Sequence, residues 1–287
     1  MKWTPLVYSL LLLILFSCSH HEKHTPVQDS DHEPKGTLFI IGGGDRDDSL
    51  MQEMIGVSGW KKGDLITAIT LCSVYDSAYH WINDQLQRMS GQACVRFDSA
   101  AIHDEKKLDS LSRSKIIFIG GGDQSRMMSL IEGSEVKKII QEAYRRGATV
   151  GGTSAGAAIM SEKMITGNQL RDTAYQSTFP VLADSNLELK EGLGLLDSVI
   201  VDMHFIARSR YNRLLSAVME NPRYQCIGID ESTAIIVHNH RARVAGYSAV
   251  AVIQDPHDRH TGTNHLLGAR GIHLSIYLPG ESFPVKR

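Results

Sequence analysis

Residues 115–122 read Lys-Ile-Ile-Phe-Ile-Gly-Gly-Gly, a short apolar run that stops at three glycines. An uninterrupted apolar run of this length predicts a strand buried on both faces, as the strands of parallel sheets are. Residues 37–44 read Thr-Leu-Phe-Ile-Ile-Gly-Gly-Gly and predict a second strand of the same kind. Similar runs lie at residues 65–71, 94–97, 148–151, 199–202 and 227–230.

Stretches with a helical spacing of apolar residues separate these runs. They cover residues 79–89, 124–131, 136–146 and about 206–220, and a shorter one includes Met51, Met54 and Ile55. Strands that alternate with helices predict an α/β fold in which helices cover both faces of a mostly parallel sheet. Residues 234–237 and 244–246 flank His238-Asn239-His240, which predicts a hairpin of antiparallel strands at the sheet edge.

Residues 6–16 form an apolar run that follows Lys2 and ends at Ser17-Cys18. A membrane-spanning helix needs about 20 apolar residues, so this shorter run is typical of a secretion signal. A cysteine after a small residue at this point resembles a bacterial lipoprotein cleavage site, which implies removal of residues 1–17 and lipid attachment to Cys18. The alternative is an ordinary signal peptide cut nearby, with Cys18 incidental.

Residues 18–35 are polar and predict a disordered tether in front of one α/β domain at residues 36–287. Four histidines in the tether leave a metal-binding tract as the alternative. We expect the protein in the cell envelope rather than the cytoplasm, in contact with a membrane through the Cys18 lipid only. By resemblance to Gram-negative lipoproteins, Ser19 after Cys18 favours the outer membrane.

The charge balance argues against one class of partner. Lysine and arginine number 30 and aspartate and glutamate 32 among 287 residues, a formal net charge of −2. Because a nucleic-acid binder needs basic side chains to neutralise phosphates, no nucleic-acid partner is expected.

Three cysteines remain once Cys18 is set aside. Cys72, Cys94 and Cys226 lie in apolar surroundings, so small buried side chains are the default interpretation. One disulfide between two of them stays open.

Residues 151–158 read Gly-Gly-Thr-Ser-Ala-Gly-Ala-Ala and match the G-x-S-x-G pattern of a nucleophile elbow. An apolar strand precedes them and helix formers follow, which is the context that such a turn requires. The small neighbours leave room for a tight turn. The pattern predicts Ser154 as a nucleophile at a helix N-terminus, and a packing turn is the alternative.

A nucleophilic serine needs a base, and the base needs an orienting acid. His204 follows the strand at 199–202 and Glu231 follows the strand at 227–230, at the carboxyl ends where parallel sheets place their sites. We therefore predict that Ser154, His204 and Glu231 converge. The chain order differs from the Ser-acid-His order of α/β-hydrolases, which disfavours that fold.

Arg208, Arg210 and Arg213 lie at the predicted start of the helix after His204. Three cations at a helix N-terminus are electrostatically misplaced unless an anion is present, so the cluster predicts a site for a carboxylate substrate. A solvated helix start is the alternative.

The glycines at 42–44 do not fit a dinucleotide fingerprint, and Asp45, Asp47 and Asp48 lack the other ligands of a calcium loop. No cofactor or metal is expected.

Five segments within residues 36–251 together resemble cyanophycinase, whose family of serine hydrolases also includes the dipeptidase called peptidase E. They are residues 120–124, the elbow, residues 192–196, Asp202-x-His204-Phe205 with the three arginines, and residues 228–234. The resemblance implies a class I glutamine-amidotransferase-like fold, flavodoxin-like in architecture. Such a fold has three layers around a doubly wound, mostly parallel sheet with antiparallel edge strands.

The resemblance also implies roles for single residues. Ser154 becomes the nucleophile, His204 the general base and Glu231 the orienting acid. The backbone N–H groups of Gly122 and Ala155 form the oxyanion hole. The positions implied to line the substrate cleft are Gln124, Asp202, Arg208, Arg210 and Arg213.

The resemblance thus predicts a secreted serine exopeptidase that hydrolyses β-aspartyl linkages in Asp-Arg or isoaspartyl peptides. Met203 stands where cyanophycinase has glutamine, so one polar contact to the substrate is missing. The alternatives are a catalytically silent lipoprotein that captures acidic peptides through its arginines, and an esterase. A homodimer is the assembly that the resemblance suggests.

Overall fold

Short strands alternate with helices along most of the chain. The computed structural model describes residue 1, residues 33–171 and residues 176–286. In this part, the strands are β1 Thr37–Ile41, β2 Ile66–Ile69, β3 Val95–Phe97, β4 Ile116–Ile119, β5 Thr149–Thr153, β6 Lys163–Gln169, β7 Leu187–Glu191, β8 Val199–Met203, β9 Gln225–Ile229, β10 Thr233–His238, β11 Arg241–Gly246, β12 Val250–Gln254, β13 His257–Thr261, β14 Leu267–Arg270, β15 His273–Tyr277 and β16 Ser282–Pro284. The α-helices are α1 Asp48–Ser58, α2 Ser77–Ser90, α3 Glu105–Ser112, α4 Gln124–Leu130, α5 Val136–Arg146, α6 Ala155–Ala158 and α7 Tyr211–Glu220.

The largest sheet contains eight strands in the order β16-β11-β10-β1-β5-β4-β2-β3. The five strands from β1 to β3 in this order are parallel. At the other edge, β10, β11 and β16 each run antiparallel to their neighbour. The expectation of a mostly parallel α/β sheet with antiparallel edge strands is therefore confirmed.

Helices cover both faces of this sheet because successive side chains of its strands point to opposite sides. On one face, Phe39 of β1 packs in a core cluster with Met54 of α1. On the other face, Ile40 packs in a second cluster with Ile140 of α5. Every residue of β1 is buried, which explains why all of its residues after Thr37 are apolar.

A second sheet of four strands, in the order β15-β12-β9-β8, adds to this architecture. Val201 and Ile229 lie in the same core cluster as Ile40 of the large sheet, whereas Ile200 packs with Leu214 of α7 on the opposite face. Because β8 and β9 are parallel, they both end at the same edge of this sheet. That edge carries His204 and Glu231.

The helix predicted from about residue 206 begins later, at Tyr211. The backbone N–H groups of Ile206 and Ala207 donate to the Asp230 carboxylate instead of to water, at 3.1 and 2.8 Å. Ser209 has φ 48°, a left-handed conformation that a right-handed helix cannot contain, so the helix begins only after this residue. Residues 204–210 therefore form a turn that is fixed in front of the helix.

The predicted leader and Cys18 lie outside the described residues, apart from Met1. Glu33 to Lys35, the last three residues assigned to the tether, are packed on the body, and the N–H of Lys35 donates to the carbonyl of Arg145 at 3.2 Å. Within the described ranges, no helix combines the length and apolar character that crossing a membrane requires.

Cys72, Cys94 and Cys226 are free thiols and are all buried. Burial raises the pKa of the Cys72 and Cys94 thiols to about 12, and it also raises the pKa of Cys226. The prediction of small buried side chains is confirmed, and the disulfide that the sequence left open is not formed.

Candidate active site

Ser154 occupies a sharp turn between β5 and α6. Its backbone angles, φ 54° and ψ −113°, are strained for a residue with a side chain. A Cβ on Gly152 would lie 2.3 Å from the carbonyl oxygen of Gly156, and one on Gly156 would lie 2.3 Å from that of Ile119. The turn can therefore close only with glycine at both positions, as the elbow pattern requires.

The side chains of Ser154, His204 and Glu231 form one hydrogen-bonded series. Ser154 Oγ lies 2.9 Å from His204 Nε2, and His204 Nδ1 lies 2.5 Å from Glu231 Oε1. Ser154 directly follows β5 and His204 directly follows β8, whereas Glu231 lies one residue beyond the end of β9. All three therefore lie at strand ends, as the sequence predicts. The series has the geometry in which a base activates a serine and an acid holds the base in orientation.

The surroundings of His204 favour the neutral form of its ring. Burial lowers the pKa of His204 below its ordinary value, and the cations Arg208 and Arg210 add to this effect. Glu231 acts in the opposite direction through its hydrogen bond. The neutral imidazole is the form that can accept a proton from Ser154.

The glycines at 42–44 pack directly against His204 and Glu231, a role that sequence reasoning missed. A Cβ on Gly43 would lie 2.2 Å from Cε1 of the His204 ring, and one on Gly44 would lie 2.7 Å from Cβ of Glu231. The Gly42 carbonyl also accepts from the N–H of His204 at 2.6 Å. The available signal was the glycine run itself, at the carboxyl end of a buried strand.

Gly43→Ala is expected to disrupt this alignment. Gly43 has φ 103°, so the alanine would strain the backbone as well as push the imidazole away from Ser154. A displacement of about 1 Å can cost about 100-fold in reactivity, so labelling of Ser154 by a serine-directed phosphonate should slow by about that factor. Gly56→Ala, in α1 where a Cβ meets nothing within 4 Å, is the matched control. Equal labelling rates in the two variants would contradict the assignment.

Backbone donors for an oxyanion lie next to Ser154. Ala155 is the first residue of α6, and the N–H groups of a first helical turn have no partner within the helix. A Cβ on Gly121 would lie 3.4 Å from Cβ of Ser154, so the Gly121-Gly122 turn borders the nucleophile. Because α6 has only four residues, its dipole is small, and single N–H groups are what this turn can offer to an anion.

The three arginines do not form one open cluster. Arg213 and Arg210 are 2% and 4% exposed, and both pair with the fully buried Asp202. Arg213 Nε donates to Asp202 Oδ2 at 2.7 Å. A buried carboxylate requires such partners, so these two cations neutralise Asp202 instead of lining an open cleft. The expectation that all three arginines face a substrate therefore needs correction.

Arg208 is the member of the set that stays accessible. Its side chain is 42% exposed, and its Nε lies 3.8 Å from Glu231 Oε1, beside the hydrogen-bonded series. Of the three arginines, Arg208 is thus the one whose side chain solvent reaches.

Gln124 is buried, and its amide donates to the carbonyls of Ile165 and Thr166 at 2.8 and 2.9 Å.

Met203 is covered by the two buried arginines. Its sulfur accepts from Arg210 Nη1 at 3.2 Å, and the same nitrogen donates to the Met203 carbonyl at 2.7 Å. The side chain is 3% exposed. The thioether therefore serves as a packing group and a weak acceptor rather than a surface for substrate.

Asp230 also supports the site. Besides the two N–H groups that it holds in the turn, its Oδ2 accepts from the hydroxyl of Ser248 at 2.7 Å. This carboxylate fixes the segment that carries His204 and Arg208.

In residues 33–171 and 176–286, no three His, Cys, Asp or Glu side chains are grouped to hold a metal ion.

Two solved peptidases have a similar fold. The crystal structure of a peptidase from an acI-B1 Actinobacterium superposes with a TM-score of 0.62 at 17% identity, covering 88% of this chain and 98% of that one. A putative peptidase E from Listeria monocytogenes gives a TM-score of 0.53 at 15% identity, covering 74% and 99%. At these identities the likeness concerns the fold alone.

Curated relatives are more similar in sequence. The cyanophycinase of Trichormus variabilis is 36% identical over 182 residues, 61% of this chain and 58% of that protein. The cyanophycinase of Synechococcus elongatus is 32% identical over 197 residues, 66% and 58%. Peptidase E of Pasteurella multocida is 25% identical over 159 residues, 53% and 62%. In each case the match spans less than two thirds of the relative's length.

The family assignment rests on a family model rather than on a single relative. The model of peptidase family S51 matches residues 77–245, more than half of the chain. That segment contains the elbow, the turn at residues 204–210 and Glu231. The chain belongs to peptidase family S51.

Proposed function

We propose that the protein is a secreted, lipid-anchored serine exopeptidase of the cyanophycinase type, which hydrolyses β-aspartyl peptide linkages. The observation that carries the proposal is the hydrogen-bonded series from Ser154 through His204 to Glu231. Membership of family S51 supports peptide hydrolysis, and the similarity to cyanophycinases supports the substrate class.

The first half of the reaction forms an acyl-enzyme. His204 Nε2 takes the proton of Ser154 Oγ while the oxygen attacks the amide carbonyl, and Glu231 stabilises the imidazolium that results. The N–H groups of Ala155 and Gly122 donate to the oxyanion of the tetrahedral intermediate. The imidazolium then gives its proton to the leaving amine, and the C–N bond breaks.

The second half returns the free enzyme. Water replaces the departed amine, His204 takes its proton, and the hydroxide attacks the ester carbonyl. The same N–H groups hold the second oxyanion. Collapse of this intermediate transfers the proton back to Ser154 Oγ and releases the carboxylic acid.

Arg208 is the residue we assign to substrate recognition. An aspartyl substrate carries a carboxylate beside its scissile carbonyl, and a guanidinium binds such a group through charge-assisted hydrogen bonds. The position of Arg208 next to Glu231 puts this cation close to the reacting serine. Arg210 and Arg213 act indirectly, because they fix Asp202 and the end of β8.

A substrate panel tests the proposed activity. We expect β-linked aspartyl peptides, such as the β-linked Asp-Arg polymer and an isoaspartyl dipeptide, to be cleaved at least about 100-fold faster than the α-linked isomer. The measurement is kcat/KM for each compound by quantifying the released amine. A higher value for the α-linked isomer would sink the assigned linkage, and hydrolysis of acyl esters without cleavage of any of the peptides would favour an esterase.

Arg208→Gln is expected to raise KM and to shift the pH profile. Loss of one charged hydrogen bond corresponds to a KM increase of about 10- to 100-fold. Arg208 also lowers the pKa of His204, so its removal should raise that pKa. Because the neutral ring is the base, the acid limb of kcat/KM should lie below pH 6.5 in the native protein and move to higher pH in the variant.

A variant of an exposed arginine outside the site, Arg223→Gln, is the control for this experiment. It should leave both KM and the acid limb unchanged. An unchanged acid limb in Arg208→Gln would show that the two side chains do not interact as the geometry implies.

The anchorage is tested separately from the chemistry. Cells grown with labelled palmitate should incorporate the label into the native chain but not into Cys18→Ala. Labelling of both proteins, or of neither, would leave Cys18 without the assigned role.

The rival function, a silent binder of acidic peptides, draws less support from the site. It relies on three arginines, two of which are buried against Asp202. It also gives no reason for a hydrogen-bonded serine, histidine and glutamate. Tight binding of aspartyl peptides without turnover or phosphonate labelling would favour it.

A further inference from the structure

The edge of the large sheet opposite to Ser154 carries a local excess of basic side chains. Parallel strands β1, β2, β4 and β5 all begin at this edge, in the register Thr37 with Thr149, Ile116 with Thr149 and Ile66 with Ile116. Antiparallel β10 ends there, and β11 starts there at Arg241. The basic face consists of Lys35, Lys61, Lys62, Arg113, Lys115, Arg145, Arg146 and Arg241.

Nearby carboxylates neutralise only part of this charge. Glu33 and Asp64 lie in the same connecting segments, and Asp109 and Glu142 pair with Arg113 and Arg146. Eight cations against four carboxylates leave an excess of four in a chain whose total formal charge is −2. All eight side chains except half-buried Lys115 are exposed.

Two neighbouring grooves cross the basic face. One of about 500 Å³ is lined by Lys35, Lys115 and Arg241, and one of about 670 Å³ by Arg113, Lys115 and Arg146. Hydrogen bonds between segments hold the surface in shape: Lys115 Nζ donates to the carbonyl of Gly147 at 3.1 Å, and Arg146 Nη2 donates to that of Ser112 at 3.0 Å. The charge is therefore displayed on a preformed surface.

The amino-terminal segment joins the body at this face. Glu33 and Lys35 are packed there, and Cys18 lies 15 residues before Glu33. Fifteen residues span at most about 50 Å even when fully extended. A lipid on Cys18 would thus keep the basic face within a short distance of the membrane surface and at high effective concentration.

We propose that the basic face docks on anionic phospholipid headgroups of the membrane that holds the Cys18 lipid. The inference rests on the anchorage in the proposed function. Lysine and arginine side chains near an anionic membrane each add to binding, within a range set by ionic screening. Docking would point the carboxyl edge, with Ser154, away from the membrane toward soluble peptides.

Hydrogen exchange of the full chain on vesicles tests the proposal. On phosphatidylcholine vesicles that contain phosphatidylglycerol, we expect slow exchange in residues 59–65, 113–115, 145–148 and 239–241. The protection should be absent on phosphatidylcholine alone and should be lost at about 0.5 M salt. Lys35→Glu/Arg145→Glu/Arg241→Glu should reduce it about tenfold or more.

Lys106→Glu/Lys138→Glu/Arg270→Glu is the matched control, with the same change of charge at exposed positions outside the basic face. It should keep the protection, and thermal unfolding verifies that both variants fold. Equal protection on neutral and anionic vesicles, or equal loss in both variants, would overturn the proposal. So would protection by soluble polyphosphate without protection by anionic vesicles.

The outcome is independent of the assigned chemistry. If the protein cleaves no aspartyl peptide but shows the salt-sensitive protection, the proposed activity fails and docking stands. If it cleaves the peptides while the protection is absent, docking fails and the activity stands.

Discussion

Ser154→Ala is expected to lower kcat/KM for the preferred β-aspartyl peptide by about 10⁵-fold or more. Alanine leaves the elbow intact, because Cβ is retained and the strained backbone is fixed by the turn. It removes the oxygen that attacks the carbonyl and would form the ester. The residual rate would come from substrate binding and the oxyanion hole alone.

A second serine provides the control for this variant. Ser129→Ala changes an exposed serine of α4 and should keep the native rate. Measuring kcat/KM of His204→Ala and Glu231→Gln, alone and combined with Ser154→Ala, adds a further check. Residues that act as a unit give losses that are not additive. Retention of more than about one hundredth of the native rate in Ser154→Ala would exclude this serine as nucleophile.

Asp202→Ala is expected to cause the largest loss of stability, about 3–5 kcal/mol in the free energy of unfolding. The substitution leaves Arg210 and Arg213 buried without their carboxylate. It also removes the acceptor of the Met203 N–H, at 2.7 Å from Asp202 Oδ1. Urea unfolding monitored by circular dichroism measures the effect.

Two further variants show how much of the stability loss is due to the burial of the ion pair. Asp202→Asn keeps the shape of the side chain without its charge and should cost less than alanine. Asp109→Ala breaks the exposed pair with Arg113 and should change stability little, since solvent screens such pairs. Similar losses in Asp202→Ala and Asp109→Ala would mean that the buried cluster contributes no more than a surface ion pair.

The positions of the buried strands and of the elbow could be predicted because their causes are local. Uniformly apolar runs such as residues 38–41 and 116–119 are strands buried on both faces, and all of their side chains are indeed buried. The elbow requires glycine at fixed positions, so the sequence pattern alone predicts the turn. The convergence of Ser154, His204 and Glu231 followed from their places at strand ends.

Other features depend on contacts that no local pattern encodes. Whether β8 and β9 join the large sheet or a second one is decided by pairing partners, which apolar composition does not specify. The start of α7 depends on Asp230, a residue about 20 positions further along the chain. The burial of Arg210 and Arg213 likewise depends on Asp202 being enclosed, whereas spacing alone makes the three arginines look equivalent.

The measurement that tests the central claim most directly is covalent labelling of the native protein by a fluorophosphonate, mapped by peptide mass spectrometry. Our account predicts one label per chain on Ser154, none in Ser154→Ala, and much slower labelling in His204→Ala, because the base activates the nucleophile. Absence of label in the native protein, or a label on another residue, would contradict it.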